Sequence, residues 1–292
     1  MSLPGNAKHL FNRLARPFNV KLESLTAEKA ESTRLAGLES EGHFSKAVFP
    51  LLPQFERCDP VAIFKAVASS ADKLARFAPA AAEDGGFSLD NHYYTTPDAE
   101  VLYAMVQIHR PRLVVEIGSG NSTLLFRQAI TDAGIATQVV SIDPEPRRNV
   151  AQHADLSVRE RVEGAGALSW FAQLRANDIL FIDSSHEIKT GNDVLFLLLK
   201  VIPTLAPGVI VHIHDIFLPY EYPRDWVIKQ RWNWTEQYLV QALLQDSDRF
   251  DVLWAGHYLQ RSRPDFISHF KSWRSWDARS LWLQRLAGAK SS

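Results

Sequence analysis

The chain has 292 residues, a formal net charge of −1 and one cysteine, Cys58. This length suits one large α/β domain with additions rather than two equal domains. The small net charge argues against a general nucleic-acid-binding surface. A single cysteine cannot form an internal disulfide and is typical of a reducing compartment. The chain shows neither a membrane-spanning apolar stretch nor a signal-peptide core, so we expect a soluble, cytoplasmic protein without a transmembrane segment.

The first 86 residues alternate amphipathic helix patterns with polar breaks, which predicts an N-terminal helical extension. One pattern lies at residues 8–14, and a stronger one covers residues 59–67, where Pro60 suits a first helical turn. The first pattern fits either a short membrane-surface helix or, as its length favours, a segment that packs or is disordered. Residues 78–86 predict a hinge, and the main domain would occupy residues 87–292.

From Asp98 onward the pattern becomes a helix, then a strand, then repeated strand and helix units. This is typical of a doubly wound, mostly parallel sheet. The predicted strands lie at residues 113–118, 138–143, 160–163, 178–183, 208–214, 249–256 and 280–285. A helix is predicted over residues 192–200. Open α/β sheets bind ligands at the carboxyl ends of their strands, so we expect the chemistry there.

The most informative stretch is residues 113–122, an apolar strand that leads into a glycine-containing turn and a helix with a Ser or Asn cap. Gly118 and Gly120 allow positive φ or a close ligand, and Glu116 places a carboxylate at the strand end. The pattern indicates a nucleotide-cofactor site. A dinucleotide fingerprint needs glycine where Thr123 stands, and no Lys-Ser or Lys-Thr pair follows as a P-loop requires. A tight turn without a ligand is the alternative.

The second strand ends at Asp143, which Pro144 follows. Its carboxylate is placed to accept hydrogen bonds from two ribose hydroxyls, as acids do at this position in α/β nucleotide folds. Asp143 is equally suited to cap a helix that begins near Pro146. The two roles are compatible.

Four motifs follow one another along the chain: Glu116-x-Gly118-x-Gly120, Asp143, residues 178–186, and residues 207–215. In this order they resemble the motifs of class I S-adenosylmethionine-dependent methyltransferases. The resemblance is greater to the small-molecule O-methyltransferase branch, similar to methyltransferase domain 24, and covers about residues 88–287. It implies a seven-stranded Rossmann-like sheet whose last strand is antiparallel, and O-methylation of a small hydroxylated acceptor such as a sugar.

The resemblance also implies a binding site for S-adenosylmethionine. The glycine loop would line the methionine side of the cofactor, Asp143 would hold its ribose, and residues 163–167 would lie near its adenine. Asp183 would face the reacting centre. The expected cofactor-binding residues are Glu116, Gly118, Ser119, Gly120, Asp143, Gly164, Ala165 and Asp183.

Methyl transfer to an alcohol needs a base or a metal, and two acids and two histidines follow the fourth and fifth strands. These candidate catalytic residues are Asp183, His186, His214 and Asp215. Either histidine suits a general base, because an imidazole titrates near neutral pH. Either acid suits the orientation of that base or the binding of a metal. His212 shares a strand face with His214, and we expect it to be structural.

Some members of the resembled branch bind a divalent metal through an acid after the fourth strand and two acids after the fifth. Here the second position holds a histidine, in the pair His214-Asp215. A mixed site of Asp183, His214 and Asp215 suits a softer ion better than an oxygen-only magnesium site. The sequence leaves metal dependence open.

Aromatic residues and prolines are dense in residues 216–234. This segment predicts either a lid over the acceptor or a surface that packs on the N-terminal extension or on a second subunit. Residues 90–98 are placed to contribute to the same pocket. Two further functions stay open, a nicotinamide-dependent oxidoreductase and a non-catalytic binding protein on the same fold. The expected partner is a small-molecule acceptor, with no nucleic acid, and a homo-oligomer is compatible with the sequence.

Overall fold

The computed structural model describes residues 5–77, 86–146, 150–164, 166–272 and 277–287. The chain divides into two compact units. One unit combines Met1–Lys46 with Glu221–Trp232, and the other combines Ala47–Tyr220 with Asn233–Ser292. The predicted hinge lies outside the described residues except for Gly86. The domain boundary near residue 86 and the lid-like insertion stay predictions.

Seven strands of the larger unit form one sheet. They are β1 (Leu113–Ile117), β2 (Gln138–Ile142), β3 (Leu156–Val158), β4 (Ile179–Ile182), β5 (Ile210–Ile213), β6 (Phe250–Ala255) and β7 (Leu281–Arg285). The strand order is β3-β2-β1-β4-β5-β7-β6. Strands β1 to β5 pair in parallel, and β7 lies antiparallel between β5 and β6. The predicted Rossmann-like sheet with an antiparallel last strand is confirmed.

Twelve α-helices occur in the described part of the chain. They are α1 (Gly5–Ala15), α2 (Thr26–Ser40), α3 (Pro53–Glu56), α4 (Val61–Ser69), α5 (Ala71–Ala75), α6 (Asp98–His109), α7 (Asn121–Ala133), α8 (Leu168–Phe171), α9 (Asp193–Phe196), α10 (Arg224–Ile228), α11 (Glu236–Leu244) and α12 (Gly256–Ser262). None of these helices combines the length and the apolar character needed to cross a bilayer.

Two hydrophobic cores cover the two faces of the sheet. Along β1, Val115 belongs to one core and its neighbour Val114 to the other, because side chains alternate across a strand. The same alternation separates Leu180 from Phe181 in β4. All four side chains are fully buried, which explains why the central strands are continuous apolar runs. Polar residues at the carboxyl ends of these strands therefore stand out as candidates for function.

Two local predictions were wrong, the position of the third strand and the cap of α7, while one predicted helix is present but contains a π-helical turn. The third strand was predicted at residues 160–163, but β3 lies at Leu156–Val158, where it pairs with β2 at the sheet edge and stays partly exposed, so its apolar pattern is weak. The helix predicted over residues 192–200 is α9 followed by a π-helical turn at Leu197–Val201. No Ser or Asn caps α7, which begins at Asn121 directly after Gly120.

The smaller unit contains α1, α2 and α10. Arg224 of α10 forms an ion pair with Glu39 of α2, and Arg231 donates a 2.8 Å hydrogen bond to the Ser32 hydroxyl. The rings of Trp226 and Trp232 lie 4.9 Å apart. Residues 221–232 therefore contact the N-terminal helices, as one of the two interpretations of the aromatic segment predicts.

Candidate active site

The turn after β1 requires glycine at one position and leaves open space at another. Gly118 has φ +81°, and a Cβ there would lie 1.9 Å from the backbone oxygen of Asp183. Gly120 is extended, with φ 175°, and a Cβ there would meet no atom within 4 Å. Gly118 thus allows β1 and β4 to approach closely, while Gly120 borders room for a ligand.

Glu116 is fully buried beneath this turn. The Thr123 hydroxyl donates a 2.6 Å hydrogen bond to its Oε2 and accepts one of 3.1 Å from the Gly120 amide. The other carboxyl oxygen, Oε1, has no hydrogen-bond partner among the described residues. Burial raises the pKa of Glu116 to about 8. A cationic ligand group would stabilise the ionised form of this carboxyl.

Asp143 links the ends of β1 and β2. Its Oδ2 accepts hydrogen bonds from the Ser119 amide at 2.8 Å and the Ser119 hydroxyl at 3.1 Å, and its Oδ1 accepts one from the Glu145 amide at 2.8 Å. These contacts fix the carboxylate in one orientation at a half-buried position. No helix begins in residues 144–146, and residues 147–149 lie outside the described part of the chain. The helix-capping role is therefore not observed there.

The loop expected near adenine is described only in part. The Gly164 amide donates a 2.9 Å hydrogen bond to the Arg161 carbonyl, which closes a turn after β3. Ala165 lies outside the described residues. Val162, two residues before Gly164, is buried and contributes to the core from this turn rather than from a strand.

Asp183, His186 and Asp215 form a compact cluster beyond β4 and β5, which we call the acid-histidine cluster. One ligand atom from each lies within 4.8 Å of the others. His186 Nε2 is 3.3 Å from Asp183 Oδ1 and 3.7 Å from Asp215 Oδ2. His186 and Asp215 have positive φ values, 59° and 56°, a backbone strain that is concentrated at functional sites. The structure thus brings three of the four predicted catalytic residues together.

Residues 234–236 hold His186 in place. Its Nδ1 lies 3.0 Å from Glu236 Oε2, and its ring lies 4.3 Å from the ring of Trp234. The backbone amides of Thr235 and Glu236 donate hydrogen bonds of 2.8 and 3.1 Å to the His186 carbonyl. Glu236 is 1% exposed. With Nδ1 bound to this carboxylate, Nε2 is directed towards the two aspartates.

Charges within the cluster shift its pKa values. Burial opposes ionisation of Asp183, but His214 and then His186 outweigh it and hold the pKa of Asp183 well below its ordinary value. Burial likewise opposes the protonation of His186, but Asp183 and Glu236 hold the pKa of His186 well above its ordinary value. His186 is therefore a cation and Asp183 an anion near neutral pH.

Arg279 contributes a second cation to the cluster. Its guanidinium donates a 3.2 Å hydrogen bond to Asp215 Oδ1, while its backbone amide donates one of 3.0 Å to Asp98 Oδ2. Asp98 also accepts a 2.6 Å hydrogen bond from the Ser280 hydroxyl. Asp98 thereby joins the start of α6 to the start of β7 and fixes the backbone from which Arg279 reaches Asp215.

His214 lies next to the cluster but outside its three-residue group. Its Nε2 is 3.9 Å from Asp215 Oδ1, and neither ring nitrogen has a hydrogen-bond partner among the described residues. Its ring lies 4.9 Å from the ring of Tyr94, whose buried hydroxyl also has no such partner. His212 is stacked on Phe181 at 4.0 Å within the core, and burial lowers the pKa of His212 well below its ordinary value.

Two contributors were missed from the sequence. Glu236 and Arg279 lie 50 or more residues from the cluster residues that they contact, and no local motif marks either of them. Tyr94 and Asp98 belong to the segment at residues 90–98 that was expected to contribute to the pocket. The sequence signal that Glu236 carries is an acidic residue in the first turn of a helix, and that signal is common elsewhere.

The family model of a methyltransferase domain matches residues 115–216. This part of the chain is a methyltransferase domain. The match runs from β1 to just beyond β5 and includes Glu116, Asp143, Asp183 and Asp215, so it spans both the glycine turn and the acid-histidine cluster. The sequence-based identification of a methyltransferase is confirmed. No curated protein matches the chain.

Several solved structures resemble this chain at low sequence identity. An O-methyltransferase from Bacillus cereus in complex with SAH is 15% identical over 85% of this chain and 97% of its own, with a TM-score of 0.38. The SAH-bound Podospora anserina methyltransferase PaMTH1 is 13% identical over 92% of this chain and 100% of its own, with a TM-score of 0.41. CmcI with Mg and SAM is 18% identical over 73% of this chain and 84% of its own, with a TM-score of 0.39.

Proposed function

We propose that this methyltransferase transfers the methyl group of S-adenosylmethionine to a hydroxyl group of a small acceptor, such as a sugar. One observation carries the proposal. Gly118 lies against the backbone of Asp183, so the glycine turn and the acid-histidine cluster adjoin at the same edge of the sheet. A cofactor on the turn and an acceptor at the cluster would be held side by side, as in-line methyl transfer requires.

The residues around the glycine turn fit S-adenosylmethionine. This cofactor carries an ammonium and a sulfonium group, and the unpaired Glu116 Oε1 favours a positive group nearby. The open space at Gly120 admits a ligand close to the backbone. Asp143, already oriented by Ser119, retains lone pairs for ribose hydroxyls. The proposed cofactor-binding residues are Glu116, Gly118, Ser119, Gly120, Asp143, Gly164, Ala165 and Asp183.

Asp183 is the member of the cluster that is placed to contact the acceptor. Its side chain is 31% exposed, whereas those of His186 and Asp215 are each 7% exposed. We assign Asp183 to accept a hydrogen bond from the acceptor hydroxyl as its oxygen attacks the methyl group, and to take the hydroxyl proton that this attack releases. The cationic His186 lies 3.3 Å from Asp183 and holds its carboxylate ionised and oriented until then.

In place of the Nε2 proton of His186, the cluster also fits a divalent metal ion, because a ligating imidazole must give up that proton. Asp183, His186 and Asp215 offer two carboxylates and one imidazole within 4.8 Å of one another, so His186 rather than His214 completes the donor set. This mixture of oxygen and nitrogen suits Mn²⁺, Fe²⁺ or Zn²⁺ better than Mg²⁺. A bound ion would supply positive charge that lowers the pKa of the acceptor hydroxyl. His214 would then serve as a neighbouring group rather than as a ligand.

The proposal is tested by calorimetric titration of the full chain with S-adenosylhomocysteine, with NAD as a parallel ligand, in the presence and absence of manganese. Saturable binding of S-adenosylhomocysteine alone is expected and would justify a methyl-transfer screen on hydroxylated sugars. Binding of NAD alone would overturn the cofactor assignment. Binding of neither ligand would leave a non-catalytic role for this fold.

A further inference from the structure

The first helix of the chain exposes an apolar face. Leu10, Phe11 and Leu14 of α1 recur at helical spacing and lie on one side, and Phe18 follows in the 3-10 turn Arg16–Phe18. Their exposed fractions are 59%, 42%, 67% and 79%. These side chains belong to neither hydrophobic core. Four large apolar side chains thus face solvent within nine residues.

This segment has a defined local structure. The Asn12 side chain donates a 3.0 Å hydrogen bond to the Leu22 carbonyl and accepts one of 2.6 Å from the Leu22 amide. These two bonds fold residues 19–22 back beside α1, where Val20 is also 51% exposed. The apolar face is therefore presented by a tied-back helix rather than by an extended tail.

The charges of the same segment are all positive. Residues 5–22 contain Lys8, Arg13, Arg16 and Lys21 and no acidic residue. At 100° per residue, Lys8 and Arg13 flank the apolar face of α1, each about 60° from its nearest apolar residue. A second copy of this helix would bring like charges together, whereas an anionic lipid surface complements both the charge and the apolar face.

We propose that residues 5–22 bind the surface of an anionic lipid bilayer. The apolar side chains enter the boundary between headgroups and acyl chains, and the basic side chains contact the headgroup phosphates. This inference concerns only the smaller unit and does not depend on the proposed reaction. It makes the protein a peripheral membrane protein, since none of its described helices spans a bilayer.

The test is co-sedimentation of the full chain with vesicles of phosphatidylcholine alone and with vesicles that also contain phosphatidylglycerol. We expect binding to the anionic vesicles that weakens with added salt. Leu14→Glu with Phe18→Glu should abolish it. Arg13→Gln with Arg16→Gln should weaken it about 25-fold, since each basic residue near an anionic surface contributes about fivefold. Lys29→Gln with Lys65→Gln removes two exposed charges elsewhere and should leave it unchanged.

Three outcomes would overturn the proposal. The first is no binding to either vesicle, and the second is equal binding by the wild type and the Leu14→Glu, Phe18→Glu variant. The third is a wild-type dimer, seen by analytical ultracentrifugation, that this variant converts to a monomer without any vesicle binding, which would assign the apolar face to a second copy. Circular dichroism of each variant verifies that it is folded.

Discussion

The two sides of the proposed active site are built in different ways. On the β1–β2 side, Glu116 accepts a hydrogen bond from Thr123 and Asp143 accepts hydrogen bonds from Ser119, over at most 24 residues of chain. On the β4–β5 side, His186 depends on Glu236, and Asp215 depends on Arg279, 64 residues away. The β1–β2 side is local, because its contacts join residues close together in the sequence. The β4–β5 side is a charged cluster of residues that lie far apart in the sequence.

This difference indicates that one side binds the cofactor and the other serves turnover. The local side has the fixed shape that a common cofactor needs, and its one buried acid is largely protonated at neutral pH. The distant side concentrates titratable groups, with His186 and Arg279 among Asp183, Asp215 and Glu236. Substitutions on the two sides should therefore separate cofactor binding from turnover.

The largest effect is expected at Gly118, where the two sides meet. Gly118→Ala forces a Cβ against the Asp183 carbonyl at a positive φ and should lower the free energy of unfolding by more than about 3 kcal/mol. Gly120→Ala is the matched control, since its Cβ meets no atom, and should change stability by less than about 1 kcal/mol. Urea unfolding of both variants measures this difference. Equal stability of the two would refute the close approach of β1 and β4.

His186→Ala should impair turnover without weakening cofactor binding. It removes the cation behind Asp183, and we expect kcat to fall about 10²- to 10⁴-fold. Affinity for S-adenosylhomocysteine should be unchanged in calorimetry, because the ion pairs and hydrogen bonds of His186 are with Asp183, Asp215 and residues 235–236. A variant with lost affinity and retained kcat would reverse the assignment of the two sides.

Glu236→Gln tests whether a remote carboxylate positions His186. Glutamine keeps the size and a hydrogen-bonding oxygen but loses the charge, and kcat should fall about 10- to 100-fold. In the wild type, the Nδ1 proton of His186 should give a downfield proton NMR signal that the variant shifts or loses. Glu100→Gln is the control, because Glu100 is also buried and bonded to a hydroxyl, that of Thr96. Reduced stability with unchanged kcat and NMR signal would show a structural role alone.

The same contrast explains what the sequence could predict. Patterns within about 30 residues predict the parallel sheet, Gly118 and Asp143. Buried strands are apolar runs, and polar or glycine residues at their ends interrupt those runs. Asp183, His186 and Asp215 were found for the same reason. Glu236 and Arg279 reach the cluster only through tertiary packing, and β3 was misplaced because an edge strand has little apolar pattern. His186 rather than His214 completes the cluster, and the left-handed backbone of His186 is not signalled by any residue pattern.

Asp143→Ala should weaken the binding of S-adenosylhomocysteine by about 1–3 kcal/mol through the loss of ribose hydrogen bonds. Turnover at saturating cofactor should change little, since Asp143 belongs to the local side. Ser119→Ala removes only the 3.1 Å bond to Asp143 Oδ2 and should have a smaller effect, which separates ribose binding from anchoring of the turn. Unchanged affinity in Asp143→Ala would refute the ribose assignment.

A further expected effect is the pH dependence of stability that Glu116 causes. Its pKa of about 8 in the folded protein exceeds the ordinary value of 4.5, so between these pH values the folded state binds more protons than the unfolded state. Stability should therefore fall as pH rises through this window, by at most about 1.4 kcal/mol per pH unit from this group. Glu116→Gln should remove that contribution, as urea unfolding at a series of pH values can measure.

The cofactor should suppress the same slope in the wild type. If a positive group of the cofactor lies beside Glu116, binding lowers the pKa of this carboxyl towards its ordinary value, and the folded state no longer takes up the extra proton. A neutral ligand at Glu116 would leave the slope unchanged. A wild-type slope that persists with saturating S-adenosylmethionine, and that Glu116→Gln still removes, would place the charged end of the cofactor elsewhere on the β1–β2 side.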